Sequence, residues 1–117
     1  MFPNINKLKI YLVCGKTDLR KGIDGLAALV LETFDLDVYD NAIFLFCGTR
    51  ADRFKALYWD KTGFVLYYKR IDNGHFQWPR SQNEVCRLRP SQLRRLLSGL
   101  AIEEKRTIKP GTKGILF

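Results

Sequence analysis

Histidine is almost absent from this chain. His75 stands alone among 117 residues, beside the turn signal Asp72-Asn73-Gly74, so no paired-imidazole chemistry and no convincing Ser/His/Asp or Cys/His set can be assembled. Cysteine is scarce as well. Cys14, Cys47 and Cys86 are far apart, and no CxxC pair occurs. A structural zinc site needs a full set of Cys or His ligands, which this sequence does not offer. The three thiols read instead as buried and reduced. Long apolar runs are missing too, and nothing approaches the ~20 residues that span a bilayer. The N-terminus, MFPNINKLKIYLV, lacks the basic start, long apolar middle and small-residue cleavage site of a signal peptide. The expected location is the cytoplasm.

Acidic charge is short in the last two-thirds of the chain. Residues 1–40 carry five cations against six acids, residues 41–79 six against three, and residues 80–117 nine against three. The whole surplus of the +8 net charge therefore lies beyond residue 40. Such a gradient suits a polyanionic partner. Length and an apolar content of 46% fit a single globular domain with one core.

Hydrophobic periodicity gives the outline. Leu8 to Val13 alternates as a strand and ends in a turn-like stretch at Cys14 to Asp18, where Thr17 or Asp18 is placed to cap a helix. Leu19, Ile23, Leu26, Val30 and Phe34 share one helical face. Gly22 and Gly25 weaken its first turns, so the helix is expected to begin properly near Ile23. Ala42 to Cys47 reads as a short buried strand. Phe54 to Trp59 and Phe64 to Lys69 form a hairpin across Asp60-Lys61-Thr62-Gly63. His75 to Trp78 reads as a further strand and Val85 to Arg89 as an edge strand. A helix then follows Pro90-Ser91, with Ser91 as N-cap and Leu93, Leu96, Leu97 and Leu100 as its apolar face. The expected fold class is α+β: a mainly antiparallel sheet of four to six strands, a helix packed on one face, and a second, Leu-rich helix near the C-terminus. Residues 1–100 form the domain. Residues 101–117 read as a basic C-terminal tail that is mobile in isolation.

The richest segment is RADRFKALYWDKTGFVLYYKR, from Arg50 to Arg70. Cations neutralise phosphates and aromatic faces stack on bases, so this interleaving suits a nucleic acid. A hairpin whose aromatics fill the core and whose cations are solvated explains the same pattern. Candidate DNA contacts are Arg50, Arg53, Lys55, Lys69 and Arg70, with Tyr58, Trp59 and Tyr67 as stacking candidates of which strand alternation must bury some. Thr17, Asp18, Arg20 and Asp24 form a possible second polar site, with a helix cap plus a salt bridge as its alternative. Gly15-Lys16-Thr17 resembles the end of a phosphate-binding loop, but the glycine required five positions earlier is Ile10. Asp18, Asp24, Asp52 and Asp60 each have a duller role than metal binding, as cap, solvated helix residue, cation neighbour or turn starter. No catalytic activity, metal or cofactor is expected.

Three separated blocks, CGKTDLRKGIDGLAALV, AIFLFCGTRADRFKALYWDKTGFVLYYKRIDNGHFQWP and SQLRRLLSGL, occur in an order that resembles the TnpB accessory proteins of insertion sequences of the IS-sixty-six type, the Orf-two-like family. The resemblance spans roughly residues 8–100. It maps the family's motif onto Thr17, Asp18, Arg20, Gly22, Asp24 and Gly25, then onto Arg53, Lys55, Tyr58, Trp59, Asp60, Gly63, Phe64, Lys69 and Arg70, and finally onto Phe76, Trp78 and Pro79. The stretch DLDVYD departs from it by lacking a proline. The resemblance implies a role in DNA transposition without cutting DNA, with the element's DNA, its DDE-type transposase, or both, as partners.

Overall fold

A computed structural model describes residues 2–102. Its centre is β2, Ala42–Cys47, in which all six residues are buried. An uninterrupted apolar run of this kind belongs to a strand covered on both faces. On one side β1, Lys9–Val13, runs parallel to β2, with Lys9 opposite Ala42 and Leu12 opposite Leu45. Parallel neighbours need a crossover, and α1, Ile23–Glu32, supplies it. On the other side β3, Arg53–Trp59, and β4, Phe64–Arg70, form the hairpin. The Asp60 carboxylate closes its turn by accepting the Thr62 and Gly63 N–H groups, both at 2.9 Å. A short β5, Val85–Leu88, pairs antiparallel with β1. The sheet order is β4-β3-β2-β1-β5. Three of the four pairings are antiparallel, and the central β1–β2 pair is the parallel one.

Each face of the sheet has its own core. Leu26 and Val30 of α1 lie against Val13, Phe44, Phe46 and Leu57. Leu93 and Leu96 of α2, Pro90–Leu97, lie on the other face with Ile10, Leu12, Ile43, Leu45, Phe54 and Leu88. Burying one such side chain contributes about 1.5–3 kcal/mol.

Three local expectations change. His75 to Trp78 is not a strand. Phe76 and Trp78 are instead plugs on the α2 face: the Phe76 N–H donates to the Ala51 carbonyl, and the Trp78 indole N–H donates to the Val13 carbonyl at 2.9 Å. Neither Thr17 nor Asp18 caps α1, because the chain makes a separate turn at 18–21 and the N-cap is Gly22. The N-cap of α2 is Arg89, not Ser91. Pro90 takes the first helical position, where its missing N–H costs nothing, and the Gln92 side chain accepts the Arg89 N–H at 2.7 Å. Gly99, at φ +83°, ends that helix and donates to the Leu96 carbonyl. The basic tail expected from residue 101 lies outside the described residues from position 103 onward. Among the described residues no helix is long and apolar enough to cross a membrane.

Candidate nucleic-acid interface

Topology brings two distant stretches of sequence to one end of the sheet. Because β1 and β2 are parallel, the loops leaving their C-terminal ends, residues 14–22 and 48–52, lie side by side. The Thr17 N–H donates to the Cys47 carbonyl at 2.7 Å, which ties the first loop to the end of β2. Gly48 is buried, and a Cβ there would come within 3.3 Å of the Leu19 side chain. The absence of that Cβ lets the two loops close on each other. Antiparallel pairing then starts β3 and ends β4 at this same edge.

Register decides which hairpin side chains face this place. Residues directly opposite in an antiparallel pair share a face. Arg53 is opposite Arg70, Lys55 opposite Tyr68, and Leu57 opposite Leu66, all on the α1 side. Leu57, Phe64 and Leu66 pack towards α1, while the polar end remains open. There Arg53, Lys55, Leu66 and Tyr68 line an open cleft of about 580 Å³, together with Thr17, Asp18, Leu19 and Arg20 from the first loop and Gly48, Thr49 and Arg50 from the second. Arg50, Arg53 and Lys55 of one sequence cluster thus meet Thr17, Asp18 and Arg20 of the other in one cleft, which Asp24 does not join. That residue sits exposed on the first turn of α1, outside the cleft.

The charges are partly engaged. Asp18 accepts from the Arg20 backbone N–H at 3.0 Å and from its guanidinium at 2.9 and 3.0 Å. The Arg20 side chain, with the backbone N–H, holds the Asp18 carboxyl down at about 2. Arg53 donates to both oxygens of Asp52, at 2.8 and 3.1 Å, and its third nitrogen lies 3.5 Å from the Tyr68 hydroxyl. This pairing holds Asp52 below the usual carboxylate range and raises Arg53. Lys55 Nζ donates to the Lys21 carbonyl at 3.0 Å and stands 5.7 Å from the centre of the Tyr68 ring. Arg50 is exposed and has no ion pair among the described residues. Arg53 and Arg70 face each other across the hairpin, an arrangement that costs free energy unless an anion lies nearby. Asp52 supplies one such charge.

The remaining candidates lie elsewhere. Tyr58 stacks on Tyr67 on the α2 face, with ring centres 6.2 Å apart, and Tyr67 packs against Phe2. Trp59 packs between Tyr39 and Phe64, at 5.1 and 4.9 Å. Lys69 is exposed on the face opposite Tyr68, and Arg70 is exposed beyond the cleft lining. The residue that sequence reasoning passed over is Tyr68, 54% exposed. Counting alternate positions across the hairpin from Lys55 would have found it.

Among the described residues no group of three His, Cys, Asp or Glu side chains converges on a common point. Asp18 and Asp52 are held by arginines, and Asp60 closes the hairpin turn. Cys14 and Cys86 bring their sulfurs to 3.2 Å, and burial, reinforced by that contact, pushes the Cys14 thiol up to about 12.

Fold and site together define a small α+β domain with an open cationic cleft at one end of its sheet. The chain belongs to the family described as IS66 Orf2-like proteins, whose model matches residues 8–107. This is a family of insertion-sequence accessory proteins. Two relatives come from Sinorhizobium fredii (strain NBRC 101917 / NGR234). "Uncharacterized protein y4hO" is 34% identical over 100 residues, covering 86% of this chain and 87% of its own length. "Uncharacterized protein y4jC" is 33% identical over 93 residues, covering 80% of each chain. No solved structure matches significantly.

Proposed function

We propose that this protein assists transposition of an insertion sequence by binding the element's DNA through its phosphates, without cutting it. The observation that carries this reading is the convergence of Arg20, Arg50, Arg53 and Lys55 on one open cleft beside the exposed Tyr68. Asp18 and Asp52 neutralise part of that charge, and Arg50 and Lys55 are the cleft cations with no carboxylate partner among the described residues. Arg70 extends the basic edge along the same face, while Lys69 reaches DNA only at the rim. Tyr58 and Trp59 serve as hairpin packing. The element's DDE-type transposase is the second partner, and the cytoplasm is where the assembly forms.

The test is duplex binding by fluorescence anisotropy across a salt series. Each neutralised phosphate contributes about −0.9 to the slope of log affinity against log salt. About 3–6 contacts predict a slope near −3 to −5. The double variant Arg50→Ala, Lys55→Ala should flatten that slope by about 2. An affinity indifferent to salt defeats the proposal. A protein that ignores DNA but co-purifies with the transposase would be an adaptor, its basic face meeting acidic patches on the larger protein.

A further inference from the structure

The cleft contains something that duplex phosphates do not use. Tyr68 is the single large aromatic among its lining residues, and 54% of it is exposed. Elsewhere in the hairpin, the rings of Tyr58, Tyr67, Trp59 and Phe64 pack against one another or against Phe2 and Tyr39. Among the described residues Tyr68 has no ring partner; Lys55 Nζ stands 5.7 Å from its ring centre, and Arg53 reaches its hydroxyl at 3.5 Å. A paired base presents edges in the grooves, and its π-face is covered by its neighbours. An unpaired base exposes that face, and aromatic side chains beside a cationic track hold it by stacking. The cleft volume of about 580 Å³ falls in the range of pockets that hold small ligands.

We infer that the cleft seats an unpaired DNA nucleotide, with the base on Tyr68 and the flanking phosphates on Arg50 and Lys55, so that the protein favours DNA ends or junctions carrying a single-stranded segment over intact duplex. This rests on the reading of the cleft as a DNA-phosphate site. It adds a discrimination that phosphate contacts alone cannot give, since phosphates position DNA without reporting on its bases.

Anisotropy at one fixed salt concentration tests it with three DNAs: a blunt duplex, the same duplex with a short single-stranded extension, and the same extension built from abasic residues. The wild type should bind the extended duplex about 5–150-fold tighter than the blunt one, the scale of one stacked base. The abasic extension, which keeps the phosphates, should lose that preference. Tyr68→Leu and Tyr68→Ala should lose the preference as well, whereas Tyr68→Phe should retain it. Blunt duplex bound as tightly as extended duplex would overturn the inference and leave the phosphate reading standing. So would a preference that survives in Tyr68→Ala or on the abasic extension. Failure to bind any of the three DNAs would overturn both.

Discussion

The two faces of the β3–β4 hairpin come from the same two strands and do opposite work. On the α2 face, Phe54, Ala56, Tyr58 and Tyr67 are closed over by Phe76, Trp78 and Phe2. On the α1 face, Arg53, Lys55, Tyr68 and Arg70 stand at an end of the sheet that α1 leaves open. A step of one residue moves a side chain from one role to the other. The cation-and-aromatic mixture of residues 50–70 is thus neither wholly core nor wholly binding surface. Strand alternation sorts it into a buried half and an exposed cationic half.

Breaking the closed face should have the largest effect. Phe54 is 2% exposed and meets Phe76 and Trp78. Phe54→Ala should cost about 3–5 kcal/mol in denaturant unfolding. A cost below about 1 kcal/mol would mean that this face is not a core. Trp78→Phe keeps the ring packing but leaves the buried Val13 carbonyl without its 2.9 Å donor, and should cost about 1–3 kcal/mol. The open face should respond in the opposite way. Tyr68→Ala and Arg50→Ala should each change stability by less than about 0.5 kcal/mol, while changing DNA binding. Lys69→Ala with Arg70→Ala should leave the fold intact and weaken duplex binding less than Arg50→Ala with Lys55→Ala, because neither lines the cleft.

The smallest effect sharpens the electrostatics of the cleft. Asp18 titrates at about 2, lowered from 3.8 chiefly by the Arg20 side chain. Ionised Asp18 is thus favoured in the folded state. The pair's contribution is present above the ordinary carboxylate range and is lost as pH falls towards 2. A chemical-shift titration of the Asp18 carboxyl should show a midpoint near 2 that returns towards 3.8 in Arg20→Ala. An unmoved midpoint would show that backbone donors alone set it.

Much of the fold was legible in the residues. The apolar run from Ala42 to Cys47 has no polar interruption, so its bounds as β2 could be read directly. Gly22 marks the start of α1, as its weak helix propensity suggested. The parallel β1–β2 pairing was not legible, since apolar alternation does not say which strands are neighbours. The unity of the site was hidden for the same reason. Thr17, Asp18 and Arg20 lie about thirty residues before Arg50, and the crossover through α1 alone brings them together. Phe76 and Trp78 look like strand residues by type. Their role as plugs follows from where the chain returns across the α2 face.

Whether the α1-side cleft carries the proposed DNA contacts is the central question, and amide chemical-shift mapping answers it most directly. When a short DNA duplex is titrated into the labelled protein, perturbed amides should cluster at residues 16–21, 48–55 and 66–70, around the cleft. Perturbations centred instead on residues 89–98, around Arg89 and Arg94 of the α2 side, would contradict the assignment of the α1-side cleft as the DNA-binding surface.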